Sequence, residues 1–158
     1  MSIINVVGAK IWGGGEQYVY DICKQLQQRH RTAYILVDQS NEDMQSRYAQ
    51  VGHVMTANLY TLKGFLSVNA VAKQMKEQGI NTIVCHSGKY ILFCIALKQL
   101  TGAKLVFIKH NLVPGKTDMY HRWINAQVDA FVCVSKLVYD DLMTPAIKDT
   151  SKYHVVYN

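Results

Sequence analysis

Short apolar runs rich in β-branched residues alternate with longer amphipathic stretches along the chain. The first run contains Ile3, Ile4, Val6 and Val7, a composition typical of a strand buried on both faces. From about Gly15 onward, apolar residues recur at steps of three and four while polar residues occupy the other face. This second pattern predicts an amphipathic helix directly after the strand.

The same alternation continues to the end of the sequence. Further strands are expected over residues 33–37, 51–56, 80–85, 104–108, 130–134 and 154–157, and further helices over residues 64–78, 88–100, 117–124 and 135–142. We expect a polar loop at 39–43, and packed side chains at Tyr120, Trp123 and Ile124. Strands and helices in this order form βαβ units. The pattern predicts one α/β domain over residues 1–158, with a three-layer, Rossmann-like, doubly wound and mostly parallel sheet.

The charge of the chain favours acidic partners without identifying one. Lys and Arg outnumber Asp and Glu by 17 to 11, a net charge of +6, which favours nucleotides, phospholipids or phosphorylated glycans. The basic residues are scattered, and no basic run interleaved with aromatic residues marks a nucleic-acid surface. We therefore expect no nucleic-acid partner.

The cysteines and the apolar runs indicate the compartment. Cys23, Cys85, Cys94 and Cys133 stand singly in apolar segments, as small core residues do in a reducing compartment, and they form no C-x-x-C pair for a disulfide or a metal. The first residues do not have the pattern of a secretory signal, so we expect none, and the longest apolar run, 90–97, is too short to span a bilayer. We expect a cytoplasmic protein without a metal site, which could contact the inner membrane face.

Three consecutive glycines separate the first strand from the first helix. Gly13, Gly14 and Gly15 remove every β-carbon at the positive end of the helix dipole, where a phosphate or a sugar could lie against backbone N–H groups. A tight turn without any ligand explains the glycines equally well. Their spacing fits neither a dinucleotide fingerprint nor a Walker loop. Glu16, in the first helical turn, could be a ligand contact or only a cap.

Polar residues follow several of the predicted strands. His86 and Ser87 come after the strand at 80–85, His110 and Asn111 after the strand at 104–108, and Ser135 after the strand at 130–134. Because ligands of parallel α/β sheets bind at the carboxyl ends of the strands, these groups should converge on one edge. Neither a nucleophile elbow nor an H-E-x-x-H motif is present, so hydrolase and metalloprotease functions are not supported.

Taken together, these motifs resemble the N-terminal domain of family 4 glycosyltransferases. The resemblance rests on Gly-Gly-x-Glu at 13–16 opening a helix with Tyr-Val-x-Asp-Ile-x-x-x-Leu, on His110, on Val134-Ser135, and on the final Val-Val-Tyr-Asn. It extends over essentially the whole chain. That family consists of retaining, nucleotide-sugar-dependent enzymes of the GT-B fold, in which two Rossmann-like domains face each other across a cleft.

The resemblance implies a role for each of the residues singled out above. His110 would be the catalytic-site residue that faces the donor sugar. The donor diphosphate and the acceptor would be bound by Gly13, Gly14, Gly15, Glu16, His86, Asn111 and Ser135. The substrates would be a nucleotide-diphosphate sugar and a glycan or lipid-linked acceptor, in bacterial surface polysaccharide synthesis, with neither a cofactor nor a metal.

Two departures from the family pattern limit what we expect of this chain. Arg29-His30-Arg31 stands where the family usually has Gly-His, so this turn could differ in shape. The sequence ends at Val-Val-Tyr-Asn, where relatives continue into a second domain that carries the nucleotide-binding residues and paired glutamates. We therefore expect these 158 residues alone to transfer no sugar.

Three other functions remain open at this stage. The chain could be a free-standing α/β ligand-binding module, or half of another GT-B enzyme such as a nucleotide-sugar epimerase. A nicotinamide dehydrogenase is the least supported, because the glycine fingerprint is absent and Asp38 only weakly resembles the acidic residue that binds its ribose.

Overall fold

The computed structural model describes residues 2–60, 64–112, 115–143 and 150–157. The strands within these residues are β1 Ile3–Val7, β2 Tyr34–Asp38, β3 His53–Ala57, β4 Thr82–Cys85, β5 Lys104–Lys109, β6 Ala130–Cys133 and β7 Tyr153–Val155. The helices are α1 Gly14–Gln28, α2 Glu42–Tyr48, α3 Gly64–Glu77, α4 Ile91–Thr101, α5 Met119–Gln127 and α6 Lys136–Leu142, and a 3-10 turn at Gly88–Tyr90 precedes α4.

The described strands form one parallel sheet in the order β3-β2-β1-β4-β5-β6-β7. β1 pairs in parallel with both β2 and β4, so the chain winds outward in one direction from β1 and then in the other from β4. This reversal opens a crevice at the carboxyl ends of β1 and β4. The predicted Rossmann-like, doubly wound fold is confirmed.

Apolar residues of the strands are buried on both faces of the sheet. Ile4 and Val6 of β1 pack in the larger core with the apolar residues of α3 and α4. Val7 points to the other face and packs in a smaller core with Val19 of α1 and Met44 of α2. Burial on both faces explains why the strands read as continuous apolar runs in the sequence.

Two of the expected elements differ in the structure. The polar segment at 39–43 contains the start of α2, because the Asn41 side chain accepts a hydrogen bond from the Met44 N–H and thereby caps a helix. In α5, Ile124 is buried, but Tyr120 and Trp123 are 51% and 47% exposed. The expectation that all three residues pack is therefore wrong for the two aromatic residues, which lie on the outer side of a short helix.

The turns after the helices carry the predicted stop signals. Gly79 and Gly102 follow α3 and α4 with φ of +64° and +73°, the left-handed conformation that favours glycine. The turn after α1 adopts the same conformation at His30, with φ of +55°. The missing Gly-His pair therefore changes the residue at this turn, while the turn retains a left-handed position.

Candidate functional site

The residues that could bind a ligand lie at the carboxyl edge of the sheet, at the β1–β4 crevice. Gly14 and Gly15 at the start of α1, His86 after β4 and His110 after β5 line one cavity of about 990 Å³. Lys10, Lys89 and Tyr60 lie at the same cavity, and none of the three was predicted as a site residue. The topology thus brings together polar residues that are far apart in the sequence.

The glycine loop presents backbone rather than side chains to this cavity. Gly13 is the extended N-cap residue of α1, and its N–H donates a hydrogen bond of 3.1 Å to Oε2 of Glu16. Glu16 therefore caps the helix, and a ligand contact by the same side chain stays a prediction. The N–H groups of the first turn have no partner inside the helix, so they remain able to bind an anion.

Neither the backbone conformation nor contacts with neighbouring atoms explain why positions 14 and 15 of this loop are glycine. Within the described residues, positive φ at glycine occurs only at Gly79 and Gly102. A β-carbon added at Gly14 would have no atom within 4 Å, and one added at Gly15 would lie 3.9 Å from Cδ2 of His110. By contrast, a β-carbon at Gly8 would lie 2.8 Å from the Tyr90 ring. Packing therefore requires the glycine at position 8, but not those at positions 14 and 15.

A chain of hydrogen bonds joins the two histidines to the interior of the sheet. Oδ1 of Asn5 lies 3.0 Å from Nε2 of His86, and Nδ1 of His86 lies 3.0 Å from Nε2 of His110. The imidazole rings are stacked at a centroid distance of 5.3 Å, and the Tyr18 ring meets the His110 ring edge-on at 5.2 Å. This arrangement fixes both rings in the wall of the cavity.

Burial keeps both imidazoles neutral. Desolvation, with a contribution from neighbouring His110, lowers the pKa of His86 to about 3. Desolvation also lowers the pKa of His110, although the Glu16 carboxylate opposes this shift. Burial raises the pKa of the Tyr18 hydroxyl. At neutral pH the two histidines are therefore hydrogen-bonding groups without charge.

Asp38 lies at the end of β2, but its oxygens are used within the protein. The buried carboxylate accepts hydrogen bonds from the N–H groups of Leu59 and Ser40 and from the Ser40 hydroxyl. Burial alone would raise its pKa, but these hydrogen bonds and nearby Lys10 bring the pKa below its ordinary value. A carboxylate engaged in this way orders the loop. It therefore gives no further support to a nicotinamide dehydrogenase, in which an acidic residue would bind the dinucleotide ribose.

The remaining predicted residues are placed differently. Asn111 is exposed at the same cavity, whereas Ser135 lies elsewhere, with its hydroxyl accepting a hydrogen bond from the Val138 N–H at the start of α6. A second cavity of about 330 Å³ shares His86 and His110 with the first and extends between α4 and α5. Its wall is apolar at Phe107 and Ile124 and polar at His121.

Metal-ligating and membrane-spanning features are absent from the part of the chain that the structure describes. There, no three His, Cys, Asp or Glu side chains are grouped to hold a metal ion. None of the helices in the same part is long and apolar enough to cross a bilayer. The four cysteines are all free and buried, as the sequence predicts.

Asn5 and Tyr18 belong to the site although neither was predicted as a site residue, and Tyr18 entered only as part of the α1 helix pattern. Asn5 is 5% exposed and is the one polar residue within β1. A lone amide in a buried strand needs a hydrogen-bonding partner, and that requirement was the available signal in the sequence. The identity of the partner depends on the pairing of β1 with β4, which a single sequence does not show.

Comparison with known proteins gives a family and a fold. A family profile described as Glycosyltransferase Family 4 matches residues 12–158. The comparison with curated proteins returned no match. Among solved structures, a glycosyltransferase from Rickettsia africae is similar with a TM-score of 0.83 at 18% identity, over 99% of this chain and 42% of that protein.

Two further solved structures share the fold. Anabaena HepE, in complex with UDP and glucose, matches with a TM-score of 0.73 at 16% identity, over 100% of this chain and 44% of HepE. The lipopolysaccharide outer core galactosyltransferase WaaB, in its apo form, matches with a TM-score of 0.67 at 14% identity, over 100% of this chain and 46% of WaaB. The chain therefore spans less than half the length of these similar proteins.

Proposed function

The chain belongs to Glycosyltransferase Family 4, and from that premise we propose that it forms the acceptor-side half of an enzyme that transfers a sugar from a nucleotide-diphosphate donor. The observation that carries this proposal is the open glycine loop facing the neutral histidine pair across one cavity. Backbone N–H groups at a helix start suit a diphosphate, and a neutral imidazole suits a sugar hydroxyl.

The glycines at positions 14 and 15 support a diphosphate as the ligand of the loop. Since neither φ nor neighbouring atoms require glycine at these positions, close approach of a ligand to the backbone is the remaining structural reason for them. HepE has also been solved in complex with UDP-glucose, which supports a nucleotide sugar as the donor here.

We assign the acceptor to the second cavity. This space of about 330 Å³ begins at the histidine pair and has apolar walls at Phe107, Ile124 and Phe131. Such walls suit the apolar face of a glycan or the lipid-proximal part of a lipid-linked acceptor. The similarity to WaaB, a lipopolysaccharide galactosyltransferase, supports an acceptor of bacterial surface polysaccharide synthesis.

Transfer by this chain alone is not expected. The similar structures are more than twice its length, since it covers 42–46% of them. The proposed donor site has contacts for the diphosphate and the sugar only, so the base and ribose would lack the contacts that orient the donor. Sugar transfer by the purified 158 residues would contradict this part of the proposal.

The decisive experiment replaces His110 by Ala in the complete protein that contains this chain. We expect kcat/KM for sugar transfer to fall roughly a hundredfold, as is common when one positioned active-site group is lost. Unfolding free energy should fall by only about 0.5–1.5 kcal/mol, the net value of the hydrogen bond to His86 that is lost. The matched control is His154→Ala, at an exposed position on β7, which should change neither quantity.

The same assay separates the alternatives. Formation of a glycoside supports transfer, whereas inversion of a sugar centre in the donor without glycoside formation would identify an epimerase. Tight donor binding without either product would identify a ligand-binding module. Equal losses of activity and stability in His110→Ala would make this histidine a structural residue.

We also propose a cytoplasmic location with peripheral contact to an anionic membrane. Free, buried cysteines are typical of a reducing compartment. Helix α5 exposes Met119 and Trp123 beside Arg122, with Lys116 just before the helix, a combination that suits a membrane interface. The complete protein should co-sediment with phosphatidylglycerol vesicles in a salt-sensitive way, and Trp123→Ala combined with Arg122→Ala should weaken this binding. Leu66→Ala, at an exposed leucine on α3, is the control.

A further inference from the structure

Three polar side chains form a line from the interior of the sheet to the cavity. Asn5 is 5% exposed within β1, and its Oδ1 lies 3.0 Å from Nε2 of His86. His86 in turn places Nδ1 3.0 Å from Nε2 of His110. Nδ1 of His110 has no hydrogen-bonding partner among the described residues, although the ring lines both cavities.

The donor and acceptor chemistry of these groups fixes the protons. A carboxamide oxygen only accepts, so Nε2 of His86 must carry a hydrogen and donate it to Asn5. In a neutral imidazole the other nitrogen then holds a lone pair, so Nδ1 of His86 accepts from Nε2–H of His110. His110 is left with its own lone pair on Nδ1.

We propose that Asn5 and His86 are positioning residues that hold His110 in the Nε2–H tautomer, so that Nδ1 accepts a hydrogen bond from a hydroxyl of the donor sugar. The identity of this ligand rests on the proposed function, but the tautomer does not. An acceptor nitrogen binds hydroxyl groups and repels phosphate oxygens. The histidine therefore selects the sugar end of the donor, while the backbone N–H groups of the glycine loop select the diphosphate.

The surroundings of the pair keep this state unique. The pKa of His86, lowered to about 3 by burial, leaves it neutral, as the proton pattern requires. In the part of the chain that the structure describes, the titratable groups that contact His110 or act on its charge are His86, Tyr18 and the Glu16 carboxylate. Neither Tyr18 nor Glu16 makes a hydrogen bond to the imidazole of His110, so the amide of Asn5 is the origin of the pattern.

The first test reads the tautomer directly in the complete protein. Ring 15N chemical shifts distinguish a protonated from an unprotonated nitrogen, and histidine-selective labelling with single His86 and His110 variants would assign the signals. At pH 7.5 we expect a protonated Nε2 and an unprotonated Nδ1 for His110. A protonated Nδ1 would overturn the proposal, because it would mean that Asn5 presents its NH2 group to His86.

The second test replaces Asn5, whose carboxamide oxygen sets the positions of the protons on the two histidines. Asn5→Leu removes the acceptor at similar volume, and it should leave His110 as a mixture of two tautomers, with Nδ1 shifted toward the protonated value. Asn5→Asp, measured at pH 8 so that His86 stays neutral, retains an acceptor and should restore the wild-type shifts. The matched control is Thr82→Val, a buried polar residue at the start of β4, which should leave the His110 shifts unchanged. An unchanged His110 tautomer in folded Asn5→Leu would overturn the proposal.

The third test links the tautomer to transfer. In Asn5→Leu we expect kcat/KM to fall about tenfold, the loss of one ordinary hydrogen bond, with recovery in Asn5→Asp at pH 8. Thr82→Val should retain the wild-type value. If the wild-type protein transfers no sugar, the proposed function fails, and the tautomer result still stands or falls by the first two tests. If transfer is wild-type in a variant with mixed tautomers, the positioning role is wrong.

Discussion

The glycine loop and the Asn5–His86–His110 chain lie side by side at the same edge of the sheet, but they offer opposite chemistry to a ligand. In the loop, a β-carbon at Gly14 would meet open space and one at Gly15 only the His110 ring at 3.9 Å, and the unpaired N–H groups of the first helical turn can donate. In the histidine chain, the donor hydrogens are used between the side chains, and one acceptor nitrogen remains. A site can therefore separate donors from acceptors by taking the donors from the backbone and the acceptor from a side chain.

The largest expected effect is on the pH dependence of the unfolding free energy, to which the histidine chain contributes and the glycine loop does not. His86 is held neutral in the folded state with a pKa of about 3, whereas an unfolded histidine has a pKa of about 6.5. Below pH 6.5 the unfolded chain therefore binds more protons, and stability falls as the pH falls toward 3. The loss is at most about 1.4 kcal/mol for each pH unit.

Urea unfolding at several pH values between 7.5 and 5 would measure this slope. His86→Gln, which removes this titrating group, should make the slope shallower and leave the contribution of His110, whose pKa is also lowered. Gly14→Ala changes the loop without adding a titratable group, so it should retain the wild-type slope. A slope that is unchanged in His86→Gln would mean that the histidine is not held neutral by burial.

The two regions also differ in how far the sequence could predict them. The loop was predictable because its glycines and its helix are neighbours in the chain, and hydrophobic periodicity marks the helix start. The histidine chain was not, because Asn5 and His86 meet only through the pairing of β1 with β4, in which Asn5 lies beside Val84. Strand order depends on contacts between distant segments, and a single sequence gives no signal for them.

Local features account for the remaining differences. Asn41, Met44 and Tyr48 carry the cap and the buried face of α2, but a helix of about two turns gives a weak periodic signal. The exposure of Tyr120 and Trp123 was not predictable, because a helical pattern does not say how much of an aromatic ring its neighbours cover.

The next effect would test whether glycine is needed for packing or for a ligand. Gly8→Ala would place a methyl group 2.8 Å from the Tyr90 ring, and such overpacking should lower the unfolding free energy by about 1–3 kcal/mol. Gly14→Ala would meet no atom within 4 Å, so stability should change by less than about 1 kcal/mol. In the complete protein, however, Gly14→Ala should lower kcat/KM about tenfold, because its methyl group would keep a diphosphate from the backbone. Full activity of Gly14→Ala would support the alternative of a turn without a ligand.

A smaller effect concerns the cap of the loop. Glu16 accepts a hydrogen bond from the Gly13 N–H, and Glu16→Ala should lower the unfolding free energy by about 0.5–1 kcal/mol. Glu16→Gln retains the acceptor and should recover most of this loss. Glu77→Ala, at an exposed ion pair of 3.9 Å with Lys73, should change stability very little. A loss in Glu16→Gln as large as in Glu16→Ala would show that the charge matters more than the hydrogen bond.

The smallest effect concerns the turn after α1, which is the opposite case to the glycine loop. This turn has the backbone conformation that favours glycine, but the residue there is not a glycine. His30 has a φ of +55°, whereas Gly102 occupies the matching turn after α4 with a φ of +73°. His30→Gly removes the left-handed strain, which costs about 1 kcal/mol, but it also increases the freedom of the unfolded chain, so the net gain should be about 0.5 kcal/mol. The measurement is urea unfolding at pH 7.5, with Arg29→Gly as the control, because Arg29 has an ordinary φ of −93° and should lose stability as glycine. If both variants lose stability equally, backbone conformation does not determine the residue at this turn, and the inference drawn from φ at the glycine loop would weaken with it.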